Sequence, residues 1–332
     1  MMVTLAMRPP RGRITSREEA DLTDRTEWAA ALVDAGVPVK LDEPLVKKTW
    51  WRVGGPAEAY AEIGSSEGLA TALRVTHAHD VPVFALGNAS NLLIGDGGIA
   101  GLVVRLTGAL AGLDAPEPGR LELGGGLKMV SLLRTAQREG YTGLEMVAGV
   151  PGTIGGGVRM NAGTRLGELG ERIVSVEVVR RDGHAETWGR AELDFGYRHC
   201  ALPADAIVTK ARVQLADLDP EESRAHIAEH LDYRARTQPT DVPTCGSTFR
   251  NPEGDSAGRL IEAAGLKGLA VGNARVSEKH ANFLVNEGGA TAADLRRLIE
   301  SIQARVRDQF GVELRREVHY AGTFPGFDGR GV

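Results

Sequence analysis

Cysteine is nearly missing: Cys200 and Cys245 are the only two among 332 residues, and they stand far apart. That excludes a disulfide-stapled scaffold and a Cys-rich zinc site, so no metal is expected. Aromatic residues are scarce as well, at 5%. There is no basic surplus: 39 Lys and Arg face 44 Asp and Glu, a formal net charge of −5. A general nucleic-acid binder is therefore not expected, although a local basic pocket can still serve an acidic small molecule. No apolar run approaches the roughly 18 residues of a membrane span, and residues 1–25 lack the apolar core of a signal peptide. The expectation is a cytoplasmic protein without membrane insertion.

Glycine is what the sequence has in excess. Its 43 residues are about twice the usual share of roughly 7%. They gather at 95–101, 124–126 and 149–163. Clusters of this kind between apolar strands suggest backbone brought close to something, commonly a phosphate or a cofactor. Residues 1–25 read as a loose extension. A helix is predicted from Ser65, with Leu69, Ala72 and Leu73 as its apolar face and Pro82 beyond its end. A short buried strand follows over Val83–Leu86. Lys128–Glu139 reads as a second helix, with Met129, Leu132, Leu133 and Ala136 in its stripe and Gly140 at its end. Val174, Val176 and Val178 alternate with polar residues up to an Asp182-Gly183 turn, and Ile207–Leu215 alternates likewise. Thr291 and Asp294 open a long helix carrying Leu295, Leu298, Ile299, Ile302 and Val306, closed by Gly311. Val312, Leu314 and Val318 then suggest a short strand, and the chain after Gly322 a frayed tail. The pattern is α+β, in three lobes rather than two.

The run Gly95 to Ala100 satisfies G-x-G-x-x-A, but Leu102-Val103-Val104 follows where a dinucleotide fold needs a helix. No P-loop pattern occurs. Gly87-Asn88-Ala89-Ser90-Asn91-Leu92 places small residues and amides after a strand; it is either a diphosphate cradle or a plain Asn/Gly/Ser turn. Gly149-Val150-Pro151-Gly152-Thr153-Ile154-Gly155-Gly156-Gly157 is either a wall of bare backbone for an extended ligand or a helix start packed tightly on a sheet. Arg198, Ser247 and Glu317, read singly, suit a surface ion pair, a turn cap and a solvated strand residue as well as chemistry.

Taken together and in order, these segments resemble the UDP-N-acetylenolpyruvoylglucosamine reductase (MurB) family. The resemblance is carried by Thr49-Trp50-Trp51-Arg52-Val53-Gly54-Gly55, the Gly87 to Leu93 turn, Gly143-Leu144-Glu145, and Ala148 through Asn161-Ala162-Gly163. It continues through Phe195-Gly196-Tyr197-Arg198, Gly246 to Pro252, Leu260 to Gly268, and Ser277 to Asn286, as far as Glu317. The short interval between Arg198 and Ser247 is similar to the branch without an extra tyrosine-bearing loop.

The resemblance implies an FAD-binding module of the vanillyl-alcohol-oxidase type, made of two α+β subdomains at 26–105 and 106–217. A C-terminal substrate-binding lobe at 218–320 and a tail at 321–332 would follow. It implies non-covalent FAD, NADPH as co-substrate and a UDP-sugar substrate, in a monomeric enzyme. Reduced flavin would deliver hydride to the enolpyruvyl ether, giving UDP-N-acetylmuramate for peptidoglycan synthesis. Ser247 would donate the proton, while Arg198 and Glu317 would bind and polarise the enolpyruvyl carboxylate. Gly87, Asn88, Ala89, Ser90, Asn91, Leu92, Gly149, Pro151, Gly152, Thr153, Gly155, Gly156, Asn161 and Gly163 would hold the cofactor. Tyr197, Arg250 and Asn251 would touch substrate. The chain departs from the family pattern at Ala89, Thr164 to Leu166, Cys200, Thr237 and Arg315-Arg316. Arg234, Arg236, Arg250 and Lys279 are candidate phosphate ligands or, equally, solvated charges. Two rival readings are a related flavin oxidase of an alcohol or sugar and a UDP-sugar binder without turnover.

Overall fold

The computed structural model describes residues 27–327, so the expected extension over 1–25 lies outside the described residues. The first sheet has the order Lys40–Pro44, Pro56–Ile63, Ile99–Leu106, Val83–Ala85, with the last three strands parallel. Its strand Ile99–Leu106 is apolar almost throughout because both of its faces are covered. Leu102 and Val104 meet Leu69, Ala72 and Leu73 of the helix Ser66–Ala78. Ile99 and Val103 meet Leu45, Leu86 and Ala89 on the other side. That helix starts where the Ser65 hydroxyl accepts the Gly68 N–H. The strand Val83–Ala85 is not buried as its sequence suggests. It is the sheet's edge, half-buried at Val83 and Phe84 and exposed at Ala85.

The second sheet is antiparallel, in the order Ala185–Gly189, Ile173–Val179, Ile207–Gln214, Arg120–Gly124, Leu113–Glu117. Alternation sorts its faces. Val176, Val178, Ala211 and Val213 pack with Leu132 and Leu133 of the helix Met129–Glu139. The opposite face carries a ladder in which Glu122 bonds both Lys210 (2.8 Å) and Arg212 (2.7 Å). Asp182 and Gly183 make the expected turn, with Gly183 at φ +83°. The Gly95 to Gly98 turn runs directly into the strand Ile99–Leu106, so no dinucleotide helix follows it.

The C-terminal part is built on the helix Ala292–Phe310, opened by a reciprocal Thr291/Asp294 capping box. Its face of Leu295, Leu298, Ile299 and Ile302 packs over a small sheet, Ala270–Val271, Ala274–Val276 and Leu284–Asn286. Two expectations are corrected here. Residues 312–318 form no strand beyond one bridge from Arg316 to Phe249, because the strand pairing starts only at His319–Ala321, laid parallel to Leu92–Ile94. Residues 322–327 are not frayed: Thr323 bonds Gly97 and Gly98, and Phe324 is buried. Trp51, fully buried in the C-terminal core, joins this part to the rest; its indole N–H donates to the Leu284 carbonyl, and Asn286 donates to its own carbonyl (2.8 Å each). Among the described residues, no helix is long and apolar enough to cross a membrane.

Candidate active site

The site begins at the turn after the edge strand. Gly87, Asn88, Ser90, Asn91 and Leu92 are half-buried there. The reversal sets Ala89 at φ +48°, which glycine adopts freely and alanine at a cost of about 1 kcal/mol. Its side chain packs in the core with Leu45 and Leu86, so the departure from glycine leaves the open side of the turn unchanged.

The second glycine segment closes on this turn. Asn88 donates its side-chain amide to the Pro151 carbonyl, and a Cβ on Gly87 would stand 2.6 Å from Thr153 Oγ1. The glycines then divide. A Cβ on Gly157 would overlap the Met129 side chain, and one on Gly163 the Gly167 carbonyl. On Gly155 it would press the Gly125 carbonyl at 3.1 Å. On Gly152 and Gly156 it would meet nothing closer than Ser90 Oγ at 3.8 Å and Thr153 Oγ1 at 3.6 Å. These two have room for a Cβ at ordinary contact distance, with Gly152 half-buried against the Ser90 turn and Gly156 exposed. Gly149, at φ +69°, lies against the side chain of Arg234, whose guanidinium is held below its ordinary value by burial.

The polar elements come together beside the Gly87 to Leu92 turn. Gly196 and His199 exchange backbone hydrogen bonds (3.2 and 3.0 Å), leaving Tyr197 and Arg198 at the tip of a tight hairpin. Asn161, almost fully buried, holds that hairpin. Its Nδ2 donates to the Gly196 carbonyl (3.0 Å) and to Glu168 (2.7 Å), and its Oδ1 accepts the Gly170 N–H (2.9 Å). Its amide is thus taken up within the protein. Arg198 sits at φ +53°, a strained conformation for a residue with a side chain. Its Nε donates to Glu317 Oε1 at 2.6 Å, with the two side chains only 20% and 13% exposed. Tyr197 is exposed, its ring 5.2 Å from the Arg198 guanidinium.

Glu317 is fixed through its backbone. Its N–H donates to the Thr248 carbonyl (2.8 Å), and its own carbonyl accepts from Asn91 (3.0 Å). Ser247 immediately precedes Thr248, so the hydroxyl and the carboxylate hang from two segments bonded at that point. Asn282 stiffens the serine segment through three bonds: Thr248 N–H to its carbonyl (2.8 Å), Phe249 N–H to its Oδ1 (2.9 Å), and its Nδ2 to the Phe249 carbonyl (2.8 Å). Cys245, two residues before the serine, donates to the Ala89 and Leu92 carbonyls (3.6 Å each). Burial pushes its thiol up to about 12, so it stays protonated and can donate. Ser247 opens onto a cleft of about 390 Å³ whose walls include Asn251, Arg259, Lys279 and His280. Arg250, three residues after the serine, donates its backbone N–H to the Arg315 carbonyl (2.9 Å), and its Nε is buried without a hydrogen-bond partner among the described residues.

The structure therefore brings Ser247, Arg198, Glu317 and the Gly87 to Leu92 turn to one junction. Asn161, Gly155 and Gly163 stand behind it. Sequence reasoning gave Asn282 no role. A polar amide between Ala281 and Phe283, both buried, is the signal that could have found it, since a buried amide needs partners.

Comparison with known proteins follows the same division. A model of the UDP-N-acetylenolpyruvoylglucosamine reductase C-terminal domain matches residues 238–321, and an FAD-binding domain model matches residues 57–189. The UDP-N-acetylenolpyruvoylglucosamine reductase of Myxococcus xanthus is 45% identical over 293 residues, 87% of this chain and 94% of that protein. The Acidiphilium cryptum reductase of the same name is 44% identical over 299 residues, 89% of this chain and 95% of that protein. The crystal structure of the Thermus caldophilus reductase superposes with a TM-score of 0.75 at 38% identity, covering 86% of this chain and 99% of that one.

Proposed function

Because the chain belongs to the UDP-N-acetylenolpyruvoylglucosamine reductase family, we propose that the junction of Ser247, Arg198 and Glu317 is its catalytic centre. The protein is an FAD-dependent oxidoreductase that uses NADPH to reduce UDP-N-acetylglucosamine enolpyruvate to UDP-N-acetylmuramate, a peptidoglycan precursor. FAD, when bound, supplies the hydride relay between NADPH and the enolpyruvyl double bond.

The residues present fit that cofactor. Two glycines, Gly152 and Gly156, leave space that a side chain would fill, opposite a turn of amides and a hydroxyl. We assign Gly87 to Leu92 with Gly149, Pro151, Gly152, Thr153 and Gly156 to holding FAD, and Gly155, Asn161 and Gly163 to the frame behind them. In the same reading residues 26–217 form the cofactor module and 218–320 the sugar-nucleotide lobe. The enzyme would work as a cytoplasmic monomer, checked by sedimentation of the holoenzyme.

Hydride addition to the terminal carbon of the enolpyruvyl group drives negative charge towards its carboxylate. Arg198 meets that charge. Its Nε is committed to Glu317, which fixes the plane of the guanidinium and leaves the two terminal nitrogens for the substrate carboxylate. Pairing also lets Glu317 sit beside a second carboxylate without repelling it. Ser247 protonates the adjacent carbon; a hydroxyl is a weak acid, but the carbanion-like centre is strongly basic. Asn251 faces the cleft with Nδ2 available, because its Oδ1 is engaged by the Ala257 N–H (3.1 Å). Tyr197 offers its exposed ring beside Arg198.

The observation that carries the reading is the Glu317 to Thr248 backbone bond, which ties proton donor and carboxylate clamp into one rigid unit. Ser247→Ala tests it. Stopped-flow reduction of the flavin by NADPH should stay within about twofold, while reoxidation by the enolpyruvyl substrate slows by roughly a hundredfold or more. Equal losses in both half-reactions would remove Ser247 from the proton-donor role.

A further inference from the structure

Hydrogen bonds close a ring that contains Ser247. From the turn at Gly87 to Leu92, Asn91 donates its side-chain amide to the Glu317 carbonyl (3.0 Å), and its own carbonyl accepts the His319 N–H (3.1 Å). Glu317 donates its N–H to the Thr248 carbonyl (2.8 Å), which carries the ring into the serine segment. The return path to the turn is Cys245, whose thiol stands 3.6 Å from both the Ala89 and the Leu92 carbonyls. Gly246, at φ +76°, reverses the chain between them. Cys245 is thereby buried in the core with Trp51 and Leu93, while Ser247 reaches the cleft.

The two arms of the ring fix different groups. Asn91 holds the backbone of the carboxylate-bearing residue. Asn282 stiffens the chain after the serine, but its bonds run to Thr248 and Phe249 and set nothing relative to the turn. Cys245 alone ties the serine segment directly to that turn, and it does so at the strained residue. The Ala89 carbonyl belongs to the position at φ +48°, and among the described residues no other donor reaches it. Sulfur suits the gap. A hydroxyl bonds at about 2.8 Å, so a serine here would leave the bond stretched or have to draw the two segments together.

We propose that Cys245 is a positioning residue: its thiol sets the spacing between the cofactor turn and the Ser247 hydroxyl, and with it the delivery of the proton after hydride addition. This rests on reading Ser247 as the proton donor. Hydride and proton arrive at adjacent carbons of one substrate, and a donor misplaced by about 1 Å loses up to roughly a hundredfold in rate. Reduction of the flavin by NADPH needs no proton from Ser247, so only the second half-reaction should respond.

The test is stopped-flow kinetics of the holoenzyme in ordinary and heavy water. Cys245→Ala should slow reoxidation by the enolpyruvyl substrate about tenfold, raise its solvent isotope effect above the wild-type value, and leave reduction by NADPH within about twofold. Cys245→Ser keeps a donor and should recover about threefold or more of the lost rate. Cys245→Val fills the site without a donor, should match the alanine variant, and carries the comparison if that variant does not fold. A merely structural contribution would lower the folded fraction, and so the amplitude, without moving the rate or the isotope effect. Hydrogen exchange of the holoenzyme reads the tie directly: amides of residues 87–92 should exchange about threefold or more faster in Cys245→Ala, with the helix Ala292–Phe310 unchanged. Unchanged reoxidation, equal slowing of both half-reactions, unchanged exchange at 87–92, or a serine variant as slow as the alanine one overturns the assignment. Reoxidation slowed by Ser247→Ala but not by Cys245→Ala removes Cys245 alone, whereas reoxidation untouched by Ser247→Ala removes the proton-donor reading itself.

Discussion

Two glycine clusters of this chain look alike in sequence and do opposite work in the fold. At Gly124, Gly125 and Gly126, an added Cβ would overlap the carbonyls of Leu110, Val208 and Leu106 in turn. All three are approached by the protein's own backbone. At Gly152 and Gly156 the same atom would meet only side-chain ends at ordinary contact distance: Ser90 Oγ and the Met129 methyl at the first, Thr153 Oγ1 at the second. The first cluster is the backing of the second: the Gly125 carbonyl accepts the Gly155 N–H (2.7 Å), and the Leu127 carbonyl accepts the Ile154 N–H (2.9 Å). Missing side chains thus bring two backbones together in one place and keep a surface bare in the other.

The sharpest way to break this contrast is Gly125→Ala. The obstructing atom is backbone in a sheet, which cannot swing aside, so the methyl should cost about 3 kcal/mol or more in denaturant unfolding. Flavin would be lost only together with the fold. A normally stable, colourless Gly125→Ala protein would move that cluster to the ligand side. Gly156→Val should do the reverse. Its Cβ has room, and valine is no worse than glycine in a helix, so apoprotein stability should stay within about 1 kcal/mol. FAD affinity should fall at least about tenfold, read by flavin fluorescence on titration. Full flavin occupancy in Gly156→Val would make both clusters merely structural.

The sequence distinguished these two roles poorly, and the reason is physical. A glycine pattern records that a side chain is absent, not what stands in its place. Periodicity, in contrast, was legible because it is set by burial. The helices Ser66–Ala78, Met129–Glu139 and Ala292–Phe310 and the strands Ile173–Val179 and Ile207–Gln214 lie where the apolar spacing puts them. The residues 312–318 misled because Leu314 and Val318 are buried without a strand partner along their length. Arg198 and Glu317 were readable as residue types worth watching. Their meeting was not, since it depends on a hairpin tip and a C-terminal segment 119 positions apart. Asn161 was readable as important but not as a brace, because its three bonds run to groups that only the fold assembles.

A third cluster, Gly95 to Gly98, gives the mildest test of the same distinction. A Cβ on Gly95 would overlap the Thr323 carbonyl and one on Gly98 the Pro56 carbonyl, which places these glycines with the backing class. The residue between them, Asp96, turns its carboxylate to the start of the helix Ala292–Phe310, with Oδ1 accepting the Ala292 N–H and Oδ2 the Ala293 N–H at 2.9 Å each. A negative group at that end satisfies two otherwise free donors and complements the helix dipole. Thr291 and Asp294 already cap the same end, so Asp96→Ala should cost only about 1 kcal/mol. The loss should appear as a small fall in the unfolding midpoint, with flavin content and the spectrum of bound flavin unchanged. Because the Asp96 carboxylate bonds the helix start and its glycine neighbours press against the protein's own backbone, loss of flavin from a folded Asp96→Ala enzyme would mean that this cluster, too, borders the ligand.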